Sequence, residues 1–87
     1  MKRYDSSLGP AELTDERRDH ILAFHPEVRK YLKDFAVTLA HPQSIVPSRR
    51  DGAVKIFYGR RIRTRRLAIV VKFNRRNFIL TAYITSK

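Results

Sequence analysis

The chain has 87 residues, 43% of them hydrophobic, no cysteine and a formal net charge of +11. That is one domain with a single small core, and it excludes a disulfide framework, a thiolate nucleophile and a thiolate-based zinc site. No apolar run approaches the roughly 20 residues that cross a bilayer, and the polar opening Met1 to Ser7 lacks the apolar stretch of a secretory signal, so the expected setting is cytoplasmic.

Residues 1–13 hold Ser6, Ser7, Gly9 and Pro10 without a clear period and read as a flexible N-terminal segment, which leaves residues 14–87 as the folded domain. Thr14 is a natural cap for a first helix whose opening turn carries Asp15 and Glu16, acidic groups favoured at the positive end of a helix dipole. That helix runs to about Phe24. Pro26 then forces a break at His25 and suits the first turn of a second helix. Val28, Tyr31, Leu32, Phe35, Ala36 and Leu39 trace one stripe along that second helix, which ends before Pro42.

The period then changes. Ile45 and Val46 lead into Pro47, which confines their strand to a sheet edge. An Asp51-Gly52 turn signals a hairpin, with Val54 to Tyr58 returning. Gly59 to Arg66 is a basic connection. Leu67 to Phe73 alternates, with Leu67, Ile69, Val71 and Phe73 on one face and Ala68, Val70 and Lys72 on the other. Asn74 to Asn77 turns the chain into a last strand, Phe78 to Thr85, predicted to set Phe78, Leu80, Ala82 and Ile84 on one side and Ile79, Thr81, Tyr83 and Thr85 on the other. The expected fold is α+β: two N-terminal helices packed on one face of a four-stranded antiparallel sheet.

Charge is distributed as unevenly as period. Residues 1–43 carry seven Lys/Arg and seven Asp/Glu, whereas residues 44–87 carry twelve Lys/Arg against Asp51 alone. The entire excess lies in the strand-rich half, which points to a polyanionic partner. Nucleic acid precedes a membrane surface because no Lys/Arg-rich amphipathic helix accompanies the charge; the competing reading is that the arginines serve solubility alone. On the open sheet face, Thr81, Tyr83, Thr85 and Lys72, rimmed by Arg60, Arg61, Arg63, Arg65, Arg66, Arg75 and Arg76, form a set of phosphate-oxygen donors. A polar outer face is also what any one-sided antiparallel sheet presents.

His20, His25 and His41 are the candidates for proton transfer. His20 and His25 are five apart across a proline and lack zincin spacing, no glycine-rich phosphate loop or nucleophile elbow is present, and the basic half has one carboxylate. No metal or cofactor is called for. What fits is acid–base chemistry on a phosphodiester with arginines stabilising charge, and RNA suits it because its 2′-hydroxyl is a built-in nucleophile.

Short pieces of the chain, His20-Ile21, His25-Pro26-Glu27-Val28, Thr38-Leu39 with Pro42 and Ile45, Phe57-Tyr58, Ile69 to Phe73 and Phe78 to Thr85, resemble phage and bacterial domains of the BECR superfamily. That group joins barnase, EndoU, colicin D and RelE-like toxins. The resemblance implies a RelE/barnase-like nuclease fold acting on tRNA, rRNA or mRNA in a bacterial cytoplasm, as a toxin or phage effector that an antitoxin or acidic inhibitor would neutralise. It assigns His20 as general acid or base, with His25 in reserve. Tyr83 and Thr85 would hold the scissile phosphate, Thr81 would bind RNA, and Lys72 with a loop arginine would stabilise charge. The alternative is a non-catalytic nucleic-acid-binding or protein-interaction domain of the same fold.

Overall fold

The computed structural model describes residues 1–87. In chain order the elements are β1 (Lys2–Ser6), β2 (Gly9–Leu13), α1 (Asp15–Phe24), a 3₁₀ helix (Pro26–Asp34), α2 (Phe35–Ala40), β3 (Ser44–Pro47), β4 (Val54–Tyr58), β5 (Arg66–Lys72) and β6 (Phe78–Thr85). The six strands form one mixed sheet in the order β1-β2-β6-β5-β4-β3, shaped as a half-barrel.

This corrects the expected four-stranded antiparallel, RelE/barnase-like sheet. Residues 1–13 are an antiparallel hairpin with Tyr4 opposite Ala11 and Lys2 opposite Leu13, rather than a flexible segment. Periodicity hides it because the hairpin offers few apolar groups, of which Tyr4, Ala11 and Leu13 are buried. Its turn is local chemistry: the Ser6 hydroxyl accepts from the Leu8 N–H at 3.1 Å, and Gly9 holds a φ of +120° open chiefly to glycine. β2 then joins β6 in parallel through Glu12 opposite Phe78 alone, backed by Glu12 N–H to the Asn77 carbonyl at 3.0 Å. Pro10 lacks the N–H that would extend this ladder, and the Asn77 amide instead donates to the Pro10 carbonyl at 2.9 Å.

Thr14 caps α1, its hydroxyl accepting from the Arg17 N–H at 3.1 Å. Pro26 starts the next segment, which is wound as a nine-residue 3₁₀ helix before the chain relaxes to α-geometry at Phe35. The expected second helix is therefore two segments. Val28, Phe35 and Leu39 from these segments, with Ile21 from α1, pack on Phe57, Leu67, Ile69, Val71, Ile79 and Ala82 from the inner sheet face. Phe35 is wholly buried and sits 6.0 Å from the Tyr4 ring, so the hairpin is tied to the same core. Truncating Phe35 to Ala would cost about 3–5 kcal/mol.

The meander β3-β4-β5-β6 is antiparallel, with Phe57 opposite Ile69 and Ile69 opposite Ala82 on the inner face. One irregularity interrupts it. Val70 opposes Thr81 while Val71 opposes Ile79, so β6 carries an extra residue at Leu80. The bulge exchanges two expected positions: Ile79 turns inward to full burial and Phe78 joins the outer face opposite Lys72.

Candidate functional site on the open sheet face

The helices cover the inner face, leaving the outer side chains of β3 to β6 without a helical layer. Register orders them into rows. Arg66 opposes Thr85; Ser44, Tyr58, Ala68 and Tyr83 are consecutive across four strands; Val46, Ile56, Val70 and Thr81 follow; and Val54, Lys72 and Phe78 close the far end. Thr81, Tyr83, Thr85 and Lys72 thus share one face. They are not one cluster. At about 3.3 Å rise per residue, Arg66 and Lys72 are roughly 20 Å apart along β5.

The middle row is apolar except for Thr81, and Val46 is 42% exposed. Chemistry is concentrated in the two rows nearest the β4–β5 connection. Tyr58 and Tyr83 stand two strands apart, about 9.6 Å at the backbone, with the small Ala68 buried between them. Over Ala68 the two phenols come together. Burial pushes the Tyr83 hydroxyl above the usual phenol pKa and the neighbouring Tyr58 phenol adds to it, so Tyr83 stays a neutral donor well past neutral pH.

The Arg66 guanidinium covers Tyr58, its central carbon 4.3 Å from the ring centroid. Its Nε is buried and has no hydrogen-bond partner, and no carboxylate pairs with the side chain. An unpaired guanidinium resting on a tyrosine beside a second phenol and Thr85 is a ready seat for a tetrahedral oxyanion.

The proton-transfer candidates divide. His20 faces outward and stacks on Phe24 at 4.6 Å between ring centres. His25 approaches the site instead, its ring 6.1 Å from that of Tyr83. The fold explains how a residue from the helical side gets there. β2 meets β6 at Phe78 alone, so the rest of that edge has no neighbouring strand, and the C-terminal end of α1 delivers His25 around it. Glu27 stands 3.8 Å from His25 Nδ1, placing a carboxylate behind the imidazole.

The arginines occupy opposite ends. Arg60, Arg61, Arg63, Arg65 and Arg66 are in or beside the β4–β5 connection, next to Thr85 and Tyr83. Arg61 donates to the backbone carbonyls of Thr64, Ser86 and Lys87 and so ties this loop to the end of β6. Ile62 and Arg65 exchange backbone hydrogen bonds across a two-residue turn whose first residue, Arg63, has a φ of +61°. Arg75 and Arg76 are at the other end, where positive charge is partly spent: Arg76 pairs with Glu12 at 3.4 Å and Lys72 with Asp51 at 3.4 Å.

Asp51 is held below the usual carboxylate pKa, first by the Ala53 N–H and then by Lys72. It is a turn residue whose ion pair occupies Lys72. No group of three or more His, Asp or Glu side chains converges as a metal site.

Sequence reasoning overlooks Tyr58. Its place emerges only when the β4–β5 register is known, because that register puts it in the Ala68 and Tyr83 row.

No protein-family model, curated protein or solved structure matches the chain. No helix is long and apolar enough to cross a membrane.

Proposed function

We propose that the protein is a cytoplasmic, metal-independent ribonuclease whose phosphate seat is formed by Arg66, Tyr58, Tyr83 and Thr85. The observation that carries this reading is the Arg66 guanidinium, unpaired and stacked on Tyr58, one row from a neutral Tyr83 that has His25 at its side. His25 takes the proton of the RNA 2′-hydroxyl, and the 2′-oxygen attacks phosphorus. The bond from phosphorus to the 5′-oxygen breaks, that oxygen gains a proton delivered through Tyr83 from water, and a cyclic phosphate is left behind. Arg66 neutralises the charge that gathers on the phosphoryl oxygens. Arg60, Arg63 and Arg65 hold the flanking backbone.

The charge asymmetry and the short-segment resemblance to BECR domains support the same reading, as does an acidic inhibitor as the natural counterpart of so basic a sheet end. In this assignment His25 replaces His20 as the proton carrier. Lys72 is left to contact RNA at a distance from the scissile bond. A second reading, RNA binding without cleavage, is favoured by one observation: His25 is the only imidazole in contact with the Tyr83 ring.

Incubation with total RNA in EDTA, followed by end analysis of the fragments, separates the two. Cleavage predicts 2′,3′-cyclic phosphate ends, lost in His25→Ala and kept in His20→Ala. Intact RNA together with salt-sensitive binding would support the binding module and overturn the nuclease.

A further inference from the structure

A second concave site opens on the opposite side of the same sheet end, between α2 and the β4–β5 connection. It is a groove of about 260 Å³, with Tyr31, Val37, Ile62 and Leu67 among its apolar walls and Asp34, Thr38, His41, Gln43 and Arg60 as its polar groups. Its lining combines a hydroxyl, two charges of opposite sign and a close-packed glycine. Thr38, 5% exposed, places a hydroxyl in its lining. Asp34 and Arg60 both line the groove without pairing with each other or with any other charge. Gly59 lets the Thr38 side chain pack directly on the backbone at one end of the groove, since a methyl group there would come 2.9 Å from the Thr38 hydroxyl oxygen.

The groove adjoins the phosphate seat through the chain itself. The Gln43 N–H donates to the Tyr58 carbonyl at 2.8 Å, and Gly59 and Arg60 directly follow Tyr58. A strand of RNA whose phosphate sits at Arg66 and which passes over the arginine loop therefore arrives at this groove.

We propose that the groove is a base-recognition subsite that takes one unpaired nucleobase and selects bases bearing an exocyclic amino group over uracil. This rests on the RNA reading above. The chemistry is that of the two unpaired charges. A carboxylate only accepts, so Asp34 selects for an amino donor edge. Adenine, cytosine and guanine each present an amino group beside a ring-nitrogen or carbonyl acceptor, which suits a groove lined by both Asp34 and Arg60. Uracil has no amino group and sets its one N–H between two carbonyls that the carboxylate repels. Tyr31 supplies an aromatic wall and Thr38 a hydroxyl able to donate or accept.

The test is a titration of the isotope-labelled protein with AMP, CMP, GMP and UMP, following the amides of Thr38, His41 and Gly59 separately from those of Arg66 and Thr85. The amino-bearing nucleotides should shift the groove amides, with UMP roughly ten-fold weaker. Asp34→Asn should abolish the difference; the Asp34 side chain makes no capping hydrogen bond, so the fold should be retained. Equal binding of UMP, unchanged discrimination in Asp34→Asn, or shifts confined to Arg66 and Thr85 would overturn the subsite. Groove binding of the nucleotides alongside a failure of the wild-type protein to bind RNA would instead overturn the RNA reading, so the two failures are distinguishable.

Discussion

Arg66 lays its guanidinium on the ring of Tyr58 at 4.3 Å and has no acidic partner anywhere in the chain. The stack holds the cation flat and partly dehydrated, so its charge is available to an incoming anion. Arg66→Ala should weaken RNA binding by roughly ten-fold and reduce the salt dependence of the affinity by about one phosphate contact. Arg66→Lys should restore little, because an ammonium neither stacks nor presents a planar fork. Fluorescence anisotropy with a single-stranded RNA across a salt series measures both quantities.

Ala68 is the spacer that lets Tyr58 and Tyr83 meet. It is fully buried beneath them, and a larger side chain would part the two rings. Ala68→Leu is expected to destabilise the protein by about 1–3 kcal/mol through overpacking. It should lower RNA cleavage further than the stability loss explains, and urea denaturation beside single-turnover cleavage would show the difference.

Alkaline pH should destabilise the fold through its two perturbed phenols. Burial raises the pKa of Tyr4, and burial with Tyr58 raises that of Tyr83, both above the ordinary value of 10.0. A folded-state pKa above the unfolded one means that the native state binds more protons in that window. The associated stability is complete below about pH 10 and is lost as pH rises through the raised values. Denaturation midpoints should fall from about pH 10 upward, and the fall should be shallower in Tyr4→Phe and Tyr83→Phe.

Arg63 holds a left-handed φ of +61° at an exposed two-residue turn, a conformation that costs an L-residue about 1–2 kcal/mol. Arg63→Gly should therefore raise stability by roughly 1 kcal/mol while removing one positive charge from the β4–β5 loop proposed to hold RNA. A higher melting temperature with weaker RNA affinity is the expected pair of results. A lower melting temperature would show that the arginine side chain, rather than the backbone, governs this turn.

Alternation of side chains made the last two strands readable, and with them the shared face of Thr81, Tyr83, Thr85 and Lys72. Thr14 and Pro26 likewise announce the first helix and its end. The N-terminal hairpin escapes because its strands bury so little that no period rises above noise. The second helix escapes as a single unit because a stripe at spacings of three and four suits a 3₁₀ segment followed by an α-helix as well as one continuous helix. Tyr58 and His25 are harder still. One depends on a cross-strand register and the other on how far β2 covers β6, and both are properties of pairings that no local window contains.

The extra residue at Leu80 gives β6 a particular tolerance. Without it, Phe78, Ile79, Thr81, Ala82, Tyr83, Ile84 and Thr85 would alternate strictly, with the same groups facing the same sides as they do now. A lineage can thus lose Leu80 in a single deletion and keep Tyr83 and Thr85 on the outer surface. Loss of Ala82 instead would break the alternation between Thr81 and Tyr83 and send one of the two toward the core. Length variation in this strand is therefore expected to be permitted at Leu80 and purged at Ala82, two residues further on.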